Sequence, residues 1–193
     1  VLPADELDPA VDAAARAAAT GATQAFLASK RIVAALRDGT APKLAGQSPD
    51  HLFRALTQYA TDARQSGIME PLAATLTEDA RRDLARHYAS LQDGTGGTTP
   101  FAQGNAAQGE RLARQGAADR QVGACLGCHG QPGNRAPRIA GQHGRFVAAW
   151  LALWREDQVT PGPDAARMHA AAYGLTDQDI ADLAAYFAGQ TAP

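Results

Sequence analysis

The chain has 193 residues, enough for one large domain or two of roughly 90–100 residues each. Hydrophobic residues make up 45%, charged residues 20% and aromatic residues only 6%, a soluble composition with little aromatic bulk for a core. The net charge of -2 gives no electrostatic case for nucleic acid or an anionic membrane, and the longest strongly apolar run, FVAAWLALW at 146–154, is too short to span a bilayer.

The chain opens on VLPADELDP, which lacks the basic start and apolar stretch of a signal peptide. Residues 9–37 are alanine-rich and almost free of breakers until Gly39, apart from Gly21, so they read as helix. Residues 50–65 carry Leu52, Leu56 and Tyr59 at helical spacing, and 77–91 carry Leu84, Tyr88 and Leu91. From 93 the composition shifts to DGTGGTTPFAQGNAAQG, which reads as an interdomain linker. Helical order then returns over 107–118, over 143–156 with Phe146, Trp150 and Trp154 four apart, and over 176–189. The last of these has Ile180, Leu183, Ala184 and Phe187 on one stripe, with Thr176 and Asp179 placed for a capping box. Nothing reads as a strand pair, so the expected fold is all-α.

The order of these elements repeats. PKLAGQ at 42–47 returns as PRIAGQ at 137–142. Tyr59 and Trp154 each stand twelve residues past the glutamine of their motif, and Met69 and Met168 each stand seven before the leucine of an LT(E/D) helix start. The segment from glutamine to methionine is four residues longer in the second copy, where TPGP supplies much of the extra loop. The chain therefore reads as an internal duplication: residues 1–93, a linker at 94–104, and residues 105–193.

Only the second copy carries chemistry that the sequence makes legible. Cys125, Cys128 and His129 spell CxxCH. Two thiols at this spacing can add to the vinyl groups of one haem, and the adjacent imidazole then falls where it can coordinate the iron. A thioredoxin-type CxxC needs a strand-rich α/β context, and a zinc site needs further thiols, whereas these are the only two cysteines. For the opposite face of the iron the candidates downstream are Met168, His143 and His169. Met168 is favoured because it falls about 40 residues after His129, on what reads as a Pro/Gly-bearing loop before the last helix.

These residues carry a family resemblance. Residues 105–190 resemble a class I cytochrome c domain: a helix, CxxCHG, P-x-I-A-G-Q, an aromatic-bearing helix, a methionine, then LTDQDIADLAAYFAGQ. The tandem arrangement resembles the two-domain, two-haem cytochromes c4. By that resemblance Cys125 and Cys128 hold haem c, His129 and Met168 ligate its iron, and the Pro137 carbonyl receives the His129 Nδ1 proton. Ile139, Phe146, Leu151 and Trp154 would pack around the porphyrin. The first copy departs from the family. With the AGQ motifs aligned, Lys30, Val33 and Ala34 stand where Cys125, Cys128 and His129 stand in the second. The first domain is thus expected to be a cytochrome c fold without haem, its space filled by Phe26, Leu27, Ile32, Val33 and Leu36, with Met69 packed beside Tyr59.

An iron with two strong axial ligands has no vacant position for substrate, which favours outer-sphere electron transfer over catalysis. The expected protein is a periplasmic single-electron carrier whose signal peptide has been removed, working between redox proteins such as a respiratory complex, an oxidase or a periplasmic dehydrogenase. The alternative is an electron-accepting subunit of such a dehydrogenase, with the first domain as docking module. A haem enzyme or gas sensor would need a labile or absent sixth ligand.

Overall fold

Eight α-helices run in chain order through the described residues: α1 (Pro49–Ala60), α2 (Met69–Ala74), α3 (Glu78–Ser90), α4 (Ala106–Gln115), α5 (Leu126–His129), α6 (Gly144–Arg155), α7 (Pro163–Ala172) and α8 (Asp177–Gly189). The structure is a computed structural model and describes residues 38–39, 41–91, 101–130, 136–159 and 163–191. The alanine-rich stretch at 9–37 lies outside them, and with it Lys30, Val33, Ala34 and the expected space-fillers Phe26, Leu27, Ile32 and Leu36. Residues 39–193 form one unit and Val1–Asp38 another, of which only Asp38 is described. Among the described residues there is no strand, only an isolated bridge between Ala117 and Val122, and no helix is long and apolar enough to cross a membrane.

Helices α1, α3, α4, α6 and α8 are those the periodicity predicts. Their starts are chemical. Thr77 and Thr176 accept from the backbone of Ala80 and Asp179, Asn105 accepts from Ala107 and Gln108, and Thr176 with Asp179 forms the complete capping box. Helix α1 stops at Ala60, short of the expected 65, because Asp62 adopts a left-handed φ of 56° that ends the helix. The sequence did not announce α7. Met168 stands inside this helix, not on a loop, since Pro163 opens it and the alanines of DAARMHAAA carry it forward.

In the second repeat α8 is the core. Leu183 and Phe187 are its largest fully buried side chains. Helices α4 and α6 both pack on α8, and α7 packs on α6. The α4–α8 crossing is close because Gly109 presents no side chain: a Cβ there would run into the Asp182 carbonyl and come within 2.8 Å of the Tyr186 Cβ. The buried Asp182 secures the same crossing, its Oδ1 accepting from the Asn105 amide and from Gln178 Nε2, both at 2.7 Å.

The first repeat follows the same path. Ala73 and Ala85 are buried as their counterparts Ala172 and Ala184 are. Gly46 and Gly141 share a φ of 71°, and each amide donates to the end of the last helix of its own repeat, at Tyr88 O (3.0 Å) and Phe187 O (2.9 Å). Asp62 (φ 56°) and Asp157 (φ 54°) close α1 and α6 alike.

The two copies of the AGQ loop are joined by their buried glutamines. Lys43 N donates to Gln142 Oε1 (2.7 Å) and Gln142 Nε2 to Lys43 O (3.2 Å). Reciprocally, Arg138 N donates to Gln47 Oε1 (3.0 Å) and Gln47 Nε2 to Arg138 O (2.5 Å). Lys43 and Arg138 are themselves counterparts, so the clasp obeys a local two-fold relation. The gap left between the loops, about 10 Å³, has room for no more than one water.

Candidate haem-binding site

The chain enters the site through a tight corner. Gly116, at φ 70°, ends α4, and its missing Cβ leaves room for the Val122 carbonyl. Ala117 and Val122 then exchange backbone hydrogen bonds of 2.9 and 3.0 Å across the 3-10 turn Ala118–Arg120. Val122 is buried in the core, and this fixes where the next turn of helix begins.

That turn carries the CxxCH residues. His129 N donates to Cys125 O at 2.9 Å, so the two anchors and the histidine share one helical turn. Both thiols are free, Cys125 half-buried against the core and Cys128 exposed. Burial pushes the Cys125 thiol up to about 11, only partly opposed by a hydrogen bond from its own backbone. Burial likewise holds His129 below the usual imidazole range, with the Pro137 hydrogen bond acting in the other direction, so the ring is neutral at pH 7. Its Nδ1 lies 2.7 Å from Pro137 O, as the sequence reading expects. In that pairing the neutral ring donates from Nδ1 and leaves the Nε2 lone pair for a metal.

Three of the residues expected around the porphyrin share the core against which Cys125 packs. Ile139, Leu151 and Trp154 pack with Cys125 against the buried core. Phe146, Trp150 and Trp154 form a continuous aromatic edge on α6, with ring centroids 6.0 and 5.7 Å apart. His143 occupies the N-cap of α6 without a side-chain cap bond. His169 commits Nδ1 to Trp154 O at 2.8 Å and stacks edge-on with the exposed Tyr173. That bond ties α7, and Met168 with it, to α6. His51 and His87 lie on α1 and α3.

Among the described residues no group of three or more His, Cys, Asp or Glu side chains could hold a bare metal ion. His129 therefore suits a metal whose other donors arrive with it, as the four nitrogens of a porphyrin do, and the two free thiols one turn away suit its covalent attachment. The residues fit haem c.

Sequence reasoning missed one part of the surroundings, supplied by the first repeat. The Arg64 guanidinium lies between two rings, 5.1 Å from the Tyr59 centroid and 5.2 Å from that of Trp150. Arg54 pairs with Asp164 of α7 at 3.2 Å. Burial first, then the nearby charges of Arg64 and Arg54, push His51 down to about 4. No local periodicity pairs residues so far apart in the chain.

Comparison with known proteins agrees with this architecture. Residues 106–190 match the cytochrome c family. The chain is 34% identical to cytochrome c4 of Thiocapsa roseopersicina over 77% of its own length and 78% of that protein. It is 31% identical to the thiosulfate dehydrogenase electron acceptor of Thiomonas intermedia, over 77% of this chain and 70% of the relative. The crystal structure of reduced cytochrome c4 from Pseudomonas stutzeri superposes with a TM-score of 0.70 at 29% identity, over 79% of this chain and 86% of the other. With an all-helical tandem fold and a CxxCH turn ready for covalent haem c, the chain belongs to the cytochrome c4 family of electron-transfer proteins.

Proposed function

We propose that this chain is a periplasmic monohaem carrier of single electrons, with His129 and Met168 as the axial ligands and Cys125 and Cys128 as the anchors. The observation that carries the reading is the 2.7 Å bond between His129 Nδ1 and Pro137 O, which orients the ring and reserves Nε2 for iron. The matching places of Met69 and Met168 in the two repeats, each on a short helix before the last one, support the methionine. His169 also bonds a carbonyl through Nδ1, at Trp154 O, and is the competitor that the variants below separate from Met168. Ile139, Phe146, Leu151 and Trp154 would exclude water from the porphyrin. Residues 1–93 would be a haem-free cytochrome c-like domain and 94–104 a linker, since the only two cysteines allow a single CxxCH.

Haem c supplies reversible one-electron chemistry at its iron, and a thioether ligand raises the reduction potential relative to a second histidine. The protein's part is to hold the ligands still, keep the interior dry and leave an edge near the surface, where Cys128 is exposed. Attachment of haem c outside the cytoplasmic membrane in bacterial relatives supports a periplasmic location and a removed signal peptide. A second reading is that the carrier works as the electron-accepting subunit of a periplasmic dehydrogenase, which the name of the Thiomonas relative favours. Purification from the native host separates the two, since a carrier emerges alone and a subunit with its partner.

Met168→Ala is expected to abolish the weak sulfur-to-iron charge-transfer band of the ferric protein and to lower its potential. Survival of the band, or its loss in His169→Ala instead, would reject the ligand assignment.

A further inference from the structure

The cations that the first repeat places against α6 and α7 have no role in the reading above. Arg64 lies over Trp150, in the middle of the aromatic edge that runs from Phe146 to Trp154. Among the described residues no carboxylate pairs with it. Glu70, which acts on Tyr59 beside it, spends Oε1 on the amides of Ser66 (2.5 Å) and Gly67 (3.1 Å). Arg54 lies on α1, one turn from His51, and reaches Asp164, the sole acidic group among the charges that act on His51. The others are Arg64, Arg54 and His129. The last of these matters for place: His51 belongs to the first repeat, yet the proximal histidine of the second is among its electrostatic neighbours.

Arg64 on Trp150 and Arg54 on Asp164 thus set two guanidinium groups against α6 and α7, and both charges act on His51. A half-buried guanidinium between two aromatic faces is poorly hydrated, and its planar fork suits a carboxylate. Haem brings two carboxylates of its own, the propionates, at the edge of the ring. We propose that Arg64, with Arg54 and His51 beside it, is a seat that the haem-free repeat provides for the propionate carboxylates of the haem in the second repeat. The seat rests on the reading that α6 lines the haem. Arg64 donates in its bidentate geometry, Arg54 adds charge while holding α7 through Asp164, and His51, neutral at pH 7, offers a ring N–H. A cation here opposes the negative field of the propionates at the iron and keeps them ionised.

The test is the pH dependence of the reduction potential in the intact holoprotein, where ionisation of a propionate gives an inflection. Arg64→Leu and the near-isosteric Arg64→Gln are both expected to move that inflection upward by about one pH unit, as loss of an adjacent opposite charge does. Arg64→Lys should return it most of the way, and an inflection should persist in His51→Gln, whose amide keeps an N–H donor, marking a carboxylate and not an imidazole as the titrating group. An inflection unmoved in both neutral Arg64 variants, or one that vanishes in His51→Gln, overturns the seat. The sulfur-to-iron band reports separately on the axial ligand. It should persist in all four variants, and its absence from the unsubstituted protein would count against Met168 while leaving the inflection as the test of the seat.

Discussion

Gly109 shows how much a single residue decides here. The α4–α8 crossing has no space for even one methyl group, and the obstacle is the backbone of Asp182, which cannot swing aside as a side chain can. Gly109→Ala should destabilise the protein by about 3 kcal/mol, read as a lower denaturation midpoint with little change in its slope. A cost below about 0.5 kcal/mol would mean that the two helices separate without penalty. Residue-level chemistry was in part legible in advance. CxxCH names the cofactor because few other chemistries need two thiols and an imidazole at that spacing. The pairing of His129 with Pro137 followed from family resemblance. Arg64 was not legible, because its meaning depends on Trp150, which only the folded chain brings near.

At the scale of elements, the start of α8 joins capping to electrostatics. Asp179 accepts from the Thr176 amide (2.8 Å) and hydroxyl (2.7 Å) and pairs with Arg120 from the turn that precedes the haem motif. Burial works against its charge, but the Arg120 and Thr176 hydrogen bonds prevail and hold its carboxyl below the usual range. The depressed value means that acid protonates Asp179 in the unfolded chain first, so its contribution is complete above about pH 4 and is lost as the pH falls through the folded value. Asp179→Asn should therefore cost about 1 kcal/mol at pH 7 and progressively less on acidification, as denaturation at a series of pH values would measure. An equal cost at every pH would show that the charge is irrelevant. Helices with apolar stripes and caps were legible from sequence because both signals are local. Helix α7 was not: TPGP reads as loop, and Pro163 ends that loop by opening a helix whose single methionine gives no stripe to detect.

At the scale of the whole molecule, the glutamine clasp joins the two repeats through four hydrogen bonds among the described residues. Each amide satisfies a peptide N–H and a carbonyl of the opposite loop, in a place where water is nearly excluded. Removing either side chain strands one donor and one acceptor, at about 2 kcal/mol. Gln47→Ala and Gln142→Ala should each lower the unfolding midpoint, and the two together should uncouple the unfolding of the repeats into separate transitions in calorimetry. A double variant that still unfolds in one transition would assign the coupling to Arg64, Arg54 and their partners instead. The repeat itself was visible in the sequence, and so was the survival of its AGQ motif in the copy without a CxxCH. What the motif does was not visible, since its partner is the other copy of itself.

A contact in which Lys43 and Gln47 do to Arg138 and Gln142 what those residues do to them is isologous, the kind that joins two identical chains around a two-fold axis. In a homodimer every substitution occurs twice, so one partner cannot lose its haem motif while the other keeps it. Tandem fusion removes that constraint. The symmetric surface still holds the pair together, while each half is written separately in the sequence and can drift alone. On the proposed reading, Lys30, Val33 and Ala34, which align with Cys125, Cys128 and His129, are the record of such drift. The symmetry that persists at the clasp is what allowed the asymmetry everywhere else.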